Sequence, residues 1–275
     1  MGTGLRGVES ITQEMSSILK ASDVIFLERY TSIFPRNTDT ELQKISNRGI
    51  ISLDREEVES LRFLENDFGI ACMLVSGDPM SSTTHFAIVE RCNELGIQFR
   101  IFENASILTA IPGRTGLSPY KIAAPVSIPI IGDRFVPKSV VRKVVQNFLA
   151  GNHTPLLIDL RDGMNMDPVD VKATIMELGK DLLDQQFLRI PIFILSRVGW
   201  SDESVEVINF EQLDTIPNRS PYCIVLPSKV NENELQSLNS LKISGREKIL
   251  EFSYEAAFKN LENKLEYHLS ETKKY

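Results

Sequence analysis

Ile70-Ala71-Cys72-Met73-Leu74-Val75-Ser76-Gly77-Asp78-Pro79-Met80-Ser81-Ser82-Thr83-Thr84-His85 is the stretch on which the reading of this chain turns. Ile70 to Val75 is an unbroken apolar run, the pattern of a strand buried on both faces in a parallel sheet. Ser76-Gly77-Asp78-Pro79 ends the run with turn chemistry, since glycine permits close backbone approach and proline removes an N–H donor. Beyond it, Thr83 or Thr84 is placed to cap a helix whose apolar residues Phe86, Ala87, Val89, Cys92 and Leu95 recur at helical spacing. Strand, acidic turn and helix put Asp78 at the carboxyl end of a central strand, where open α/β sheets bind ligands. A carboxylate there suits a sugar hydroxyl or an amine better than a phosphate. Taken alone, Gly-Asp-Pro is more simply a turn.

Upstream, the Gly-rich start Gly2-Thr3-Gly4-Leu5-Arg6-Gly7 leads into a helix with Ser10 as its expected cap and Ile11, Met15, Ile18 and Leu19 as its apolar face. Such a turn ordinarily follows a first strand, which is missing here or lies upstream. Residues 23 to 28 and 49 to 53 read as strands, 36 to 48 as polar irregular chain, and 55 to 66 as a helix with a charged outer face. Downstream, a strand is expected at Phe99 to Phe102, then a strand-to-helix turn at Asn104-Ala105-Ser106-Ile107. Alternating strands and helices predict a parallel sheet.

Residues 112 to 125, with three prolines and two glycines, read as an interdomain loop. They divide the chain into an N-terminal α/β domain, 1 to 111, and a C-terminal α/β domain, 126 to 275. In the second half, strands are expected at 126–131, 155–160, 191–195, 204–210 and 222–226. Helices are expected from Pro137 to Gly151, from Val169 to about Phe187, and from Tyr254 onward, with a Gly/Asn/Asp loop from Asp162 to Pro168. Phe258, Leu261, Leu265 and Leu269 form a stripe on the last helix, read first as packing on its own domain and second as a partner surface.

Composition excludes several classes. An apolar fraction of 42% and a charged fraction of 24% are those of a globular protein. No run approaches the ~18 apolar residues of a membrane span, and no basic-then-apolar signal region opens the chain. A net charge of −7 argues against general nucleic-acid binding. Cys72, Cys92 and Cys223 show no metal spacing, so reduced thiols in a cytoplasmic protein are expected, and three scattered histidines give no metal cluster.

Several motifs then add up. Gly2-Thr3-Gly4-Leu5, Glu28-Arg29-Tyr30-Thr31-Ser32, Gly77-Asp78-Pro79 with Thr83-Thr84-His85, and Asn104-Ala105-Ser106-Ile107 occur in order. So do Thr115-Gly116-Leu117, Tyr120, Val126-Ser127-Ile128-Pro129, and His153-Thr154 before Leu157-Ile158-Asp159. The ordered set resembles the diphthine synthase family, a branch of the tetrapyrrole-methylase-like methyltransferases. It covers roughly residues 1 to 160 and continues more weakly to about 235. The resemblance implies two α/β domains of tetrapyrrole-methylase type with the cofactor cleft between them, S-adenosyl-L-methionine as methyl donor, and a homodimer; no metal is expected, since the residues show no metal spacing and methyl transfer does not require one. It also implies a protein substrate, elongation factor 2, methylated on the amino group of a 3-amino-3-carboxypropyl chain carried by a histidine. Nucleic-acid and membrane partners are not implied.

Carried over position by position, the resemblance implies a cofactor site at Leu5, Asp78, Ser81, Ser106, Ile107 and Ile158, with Val198 and Asn231 in the less similar part. The family often has histidine where Asn231 aligns, and its usual residues after the first turn differ from Arg6-Gly7. Core packing is the plain alternative for Leu5, Ile107, Ile158 and Val198, and helix capping for Ser81 and Ser106. His85 is read as satisfying a backbone group ahead of any catalytic role. No general base is identified, and Asp78 is read as a cofactor anchor ahead of a base.

The chemistry needs little more. Methyl transfer from a sulfonium is an in-line displacement in which the donor carries its own activation, so the protein aligns the reactants and excludes water. Two competing readings remain at this level: a methylase of the same fold acting on a tetrapyrrole or ribosomal RNA, and a non-catalytic nucleotide-binding regulator.

Overall fold

The computed structural model describes residues 1–131, 137–161 and 163–272. Its residue contacts divide it into two compact units. The first comprises Met1–Thr109 and Val198–Ser201, and the second Ala110–Arg197 and Asp202–Tyr275.

In the first unit, α1 (Gln13–Ala21) is followed by β1 (Val24–Glu28), α2 (Thr38–Ser46), β2 (Ile50–Leu53), α3 (Arg55–Ser60), β3 (Ala71–Leu74) and α4 (Phe86–Leu95). The strands form a parallel sheet in the order β2-β1-β3, with Ile25 opposite Ile50 and Val24 opposite Ala71. The strand buried on both faces is β1, not the stretch from Ile70: every β1 residue is buried, whereas Ala71 of β3 is exposed and Met73 half-buried. One face of β1 packs Ile25 and Leu27 against Leu19, Phe34, Leu42, Cys72 and Leu74, and the other packs Val24 and Phe26 against Leu53 and Val58. The apolar run at 70–75 is therefore the flank of the sheet's core.

The N-terminal residues lie beside β3. Val75 N donates to Met1 O at 3.0 Å and Thr3 N to Val75 O at 2.8 Å, while Gly2 N donates to Phe102 O at 2.9 Å. A parallel bridge at Gly2 thus occupies the place where a first strand was expected, and Phe99 to Phe102 forms no regular strand.

Four local expectations are corrected. Thr12, not Ser10, caps α1, its hydroxyl accepting from Met15 N at 3.2 Å. Residues 38–46 are helical because Leu42 is buried in the core, which outweighs a polar sequence. The helix from Arg55 stops at Ser60, where Leu61 takes a φ of 58° and the chain tightens into a 3₁₀ turn at Arg62–Glu65. His85 is the N-cap of α4 and makes no capping bond, so neither Thr83 nor Thr84 has that role.

The division between units falls inside α5 (Ile107–Thr115), which runs through Pro112 into the proline-rich stretch. The second unit continues with β4 (Val126–Ile128), α6 (Ser139–Leu149), β5 (Thr154–Ile158), the ribbon β6 (Leu160–Arg161) and β7 (Met164–Asn165), and α7 (Pro168–Leu178). Then come α8 (Gln185–Leu188), β8 (Pro191–Ser196), β9 (Ser204–Asn209), β10 (Tyr222–Leu226), α9 (Glu232–Leu241), α10 (Glu247–Glu251) and α11 (Tyr254–Thr272). Asp162, within the expected loop, lies outside the described residues. The single helix expected over 169–187 is two, because α7 ends at Gly179, where a side chain would stand 2.5 Å from Leu183 Cδ1.

Its sheet has the order β4-β5-β10-β8-β9. Only β4 and β5 run parallel; β10 pairs antiparallel with both β5 and β8, and β8 with β9. The class is α/β with one parallel and one mixed sheet. Phe148 of α6 stacks on Phe258 of α11 at 4.8 Å between ring centroids, and Leu261 is buried in the same core. The α11 stripe is spent within its own unit as far as Leu265; the side chain of Leu269 lies outside the described residues.

Candidate functional site

Four turns of the first unit meet at the carboxyl end of β3. Gly4 N donates to Gly77 O and Gly77 N to Gly4 O, each at 3.0 Å, which locks the opening Gly-rich turn onto the acidic turn. Both glycines have positive φ, 61° at Gly4 and 78° at Gly77. A side chain at Gly2 would stand 2.4 Å from Gly77 O, and one at Gly4 would stand 2.7 Å from Asn104 Oδ1. The backbone contact at Gly2, and at Gly4 the positive φ together with the packed Asn104 and Ser10 side chains, favour glycine at both positions.

Asp78 organises its turn. Its Oδ1 accepts from Met80 N and from Ser81 Oγ, each at 3.0 Å, and its Oδ2 accepts from Asn104 N at 3.2 Å. A carboxylate offers about four acceptor positions, so this one keeps capacity for an outside donor. Ser81 is therefore bound to Asp78 rather than serving as a helix cap. Ser106, by contrast, does cap: its hydroxyl accepts from Leu108 N at 3.1 Å at the start of α5, where Ile107 follows half-buried.

Leu5 follows Gly4, and Gly199 packs beside it: a side chain on Gly199 would stand 3.0 Å from Leu5 Cβ. Val198, buried, belongs with Gly199 to the first unit although β8 precedes it in the second. Leu5, Asp78, Ser81, Ser106, Ile107 and Val198 are thus residues of one unit. Ile158 and Asn231 belong to the other: Ile158 is buried at the end of β5 and its carbonyl accepts from Asn165 Nδ2 at 2.8 Å, and Asn231 is exposed as the N-cap of α9.

The residue that sequence reasoning missed is Asn104. Its Nδ2 donates to Gly2 O at 3.0 Å and to Ser10 O at 2.9 Å, while its backbone N–H reaches Asp78. One residue, by side chain and backbone together, fastens the opening turn to the acidic turn. In sequence it opens the Asn104-Ala105-Ser106-Ile107 motif, but that motif draws attention to Ser106 and Ile107 and gives no sign of the bonds Asn104 makes.

Asn231 leads to a second polar cluster, within the second unit. Its side chain accepts from Glu234 N at 3.0 Å, and Glu234 Oε2 accepts from Asn231 N at 2.8 Å and from Lys121 Nζ at 2.8 Å. Glu234 Oε1 accepts from Ser118 N at 2.9 Å and pairs with His153 Nε2 at 2.8 Å. Since His153 Nδ1 accepts from Ser228 N at 3.0 Å, the neutral ring carries its proton on Nε2. Burial raises the Glu234 carboxyl, but the bonds from His153, Lys121, Asn231 and Ser118 outweigh it and hold it well below the usual carboxylate range. Burial lowers His153 beneath its ordinary value. The cluster is saturated, which is the mark of a scaffold.

Among the described residues, no group of three or more His, Cys, Asp and Glu side chains is placed to hold a metal ion, and no helix is long and apolar enough to cross a membrane. All three cysteines are free and buried, and burial pushes the Cys223 thiol up to about 12.

A family model described as Tetrapyrrole (Corrin/Porphyrin) Methylases matches residues 1–214. A diphthine synthase of Thermoplasma acidophilum is 36% identical over 240 residues, covering 87% of this chain and 93% of that one. A diphthine synthase of Methanospirillum hungatei is 29% identical, covering 87% and 96%. A human diphthine methyl ester synthase is 35% identical over 164 residues, covering 58% and 57%. A crystal structure of diphthine synthase superposes with a TM-score of 0.75 at 25% identity, covering 90% of this chain and 97% of that one.

Proposed function

The chain belongs to the tetrapyrrole methylase family, and from that premise we propose that it is an S-adenosylmethionine-dependent methyltransferase of diphthamide biosynthesis. Its substrate on this reading is elongation factor 2 carrying a 3-amino-3-carboxypropyl histidine, and the reaction adds methyl groups to the amine of that arm. The observation that carries the cofactor reading is the Asp78 turn. It sits at the carboxyl end of a parallel strand, holds a carboxylate with spare acceptor capacity, and is bordered by glycine turns that let backbone approach closely.

These residues fit the cofactor. When bound, it supplies an activated methyl group. Asp78 would accept from a ribose hydroxyl or the methionine ammonium, with Ser81 and Asn104 keeping its carboxylate oriented. Leu5, Ile107 and Val198 would supply apolar contact, and Ser106 would fix the start of α5 beside them. The chain's task is to hold the amine in line and exclude water until the lone pair has reacted.

The amine can react while it has a lone pair to give. Three methyl additions make it a fixed cation, so N-methylation stops there. The relatives named diphthine methyl ester synthase raise a second reading, a further methyl on the arm's carboxylate. Intact-protein mass spectrometry separates the two. Incubation with arm-bearing factor and S-adenosylmethionine should give three steps of one methyl each, absent on unmodified factor. A fourth step removed by mild alkali would establish the ester. Methylation of a tetrapyrrole or of RNA, with none of the factor, would overturn the substrate assignment.

A further inference from the structure

Glu28, His85 and the Tyr30-Thr31 turn lie next to the Asp78 turn, and the proposed reaction leaves them without a task. Glu28 closes β1 and is fully buried, an unusual place for a carboxylate unless it is well bonded. Its Oε1 accepts from Thr31 N at 2.7 Å and also from Tyr30 N, and its Oε2 accepts from the Thr31 hydroxyl. Every one of these donors is in the turn that follows β1. Glu28 therefore folds that turn back over the end of its own strand.

His85 meets it from the other side. The ring is 4% exposed, and its Nδ1 lies 2.9 Å from Pro79 O. A carbonyl can only accept, so Nδ1 carries a proton and donates it. The other ring nitrogen, Nε2, has no hydrogen-bond partner among the described residues and lies 3.8 Å from Glu28 Oε2. Tyr30 closes the group, its ring set edge-on to His85 at 6.5 Å and its hydroxyl 3.5 Å from Thr84 Oγ1. Other titratable groups nearby point elsewhere, Arg29 to Asp39 and Arg55 over the Tyr30 ring.

We propose that His85 and Glu28 are positioning residues for the methyl-donor site: His85 fixes the Asp78-Pro79 turn through the Pro79 carbonyl, and Glu28 holds the turn after β1 against His85. The proposal rests on the reading of Asp78 as a cofactor anchor. Asp78 cannot be aimed by its own bonds alone, since Met80 and Ser81 are members of the same turn and move with it. Support from outside is needed: the Gly4–Gly77 backbone pair holds the start of the turn, Asn104 N–H holds the carboxylate, and His85 holds the Pro79 carbonyl. A ligand carboxylate held from both sides is pre-organised, so less ordering remains to be done when the cofactor arrives.

The test separates the two ring nitrogens. Asparagine places an amide N–H near the position of Nδ1, and glutamine places one nearer Nε2. His85→Gln should raise the dissociation constant for S-adenosylhomocysteine at least tenfold by calorimetry, and hasten hydrogen exchange at the Met80 and Ser81 amides. His85→Asn should restore both to within threefold of the unsubstituted chain. Glu28→Gln, which keeps an acceptor for Tyr30 and Thr31, should resemble His85→Asn, and Glu28→Leu should resemble His85→Gln. Unchanged affinity and exchange in His85→Gln would overturn the proposal. Equal weakening in the Asn and Gln variants, with an equal fall in ligand-free melting temperature, would also overturn it by showing a merely structural residue. If the unsubstituted chain binds no S-adenosylhomocysteine, the cofactor reading fails, and the exchange rates at Met80 and Ser81 still decide the positioning claim.

Discussion

Glu234 receives the Nε2–H of His153 at 2.8 Å, and the two side chains are 2% and 0% exposed. The histidine is held in its neutral form and the carboxylate in its charged form, so acid works against both. A histidine whose folded value is depressed contributes stability that is whole above its ordinary 6.5 and declines as pH falls below it. A depressed carboxyl contributes stability that is whole above its ordinary 4.5 and declines as pH falls further. The melting temperature should therefore drop in two stages, beginning near those two values. In Glu234→Gln the lower stage should shrink, while Glu234→Ala should cost about 3–5 kcal/mol at neutral pH by leaving the buried His153 Nε2–H and the Ser118 and Asn231 amides without their acceptor. Melting curves at stepped pH check all three statements.

The glycines of the opening and acidic turns should differ in their tolerance of alanine. Gly77→Ala meets nothing nearer than 3.9 Å and suffers only its φ of 78°, a cost of about 1–2 kcal/mol. Gly2→Ala places its new carbon 2.4 Å from the Gly77 carbonyl oxygen and cannot be accommodated without moving backbone. Urea unfolding should rank Gly2→Ala as the more damaging change. The reverse order would mean that the two turns are not packed as described.

Asp78→Asn replaces an acceptor with a donor facing Met80 N, Ser81 Oγ or Asn104 N. A ligand at 100 times its dissociation constant stabilises a fold by ~2.7 kcal/mol, and each tenfold loss of affinity removes about 1.4 kcal/mol of that. S-adenosylhomocysteine should shift the melting temperature of the unsubstituted chain with a chelator present, and shift Asp78→Asn much less. An equal shift in both would remove Asp78 from the cofactor site.

Oligomeric state gives a further check. The stripe on α11 is used internally, but Ile97, Phe99 and Ile101 are exposed at alternate positions after α4. Large apolar side chains left in water at that spacing fit a covered surface. Light scattering should give about twice the chain mass of 31.0 kDa, and Phe99→Glu should lower it. A monomer at every concentration would reject the homodimer.

Sequence made the first unit legible where signals were local. Gly77-Asp78-Pro79 announced the turn, and β1, β2 and α4 fell near their expected bounds. It misled where a tertiary contact decided the outcome. Residues 38–46 carry Leu42 and Ile45 among polar neighbours, too few to outweigh the look of a loop until the core is present to receive them. Leu61 breaks a helix without glycine or proline to mark it. In the second unit, β8 and β10 are continuous apolar runs that read the same in parallel and antiparallel sheets, so the strands were foreseen and their direction was not. Asp78 stood out by its place in the turn and the other candidate residues only through the family resemblance. His85 bonds a nearby backbone carbonyl as its sequence position led one to expect, whereas the bonds from Asn104 to Gly2 and Ser10 span about a hundred residues of chain.

Val198–Ser201 belongs to the first unit although some ninety residues of the second separate it from Thr109. The consequence is genetic as much as structural. A gene fragment ending at Thr109 would encode a body lacking the segment that packs against Leu5, with one wall of the proposed site left as bare apolar surface. A single crossover with a relative at that point would complete the first unit with the other parent's four residues, so inheritance of the two units is tied together by the fit of that segment to Leu5.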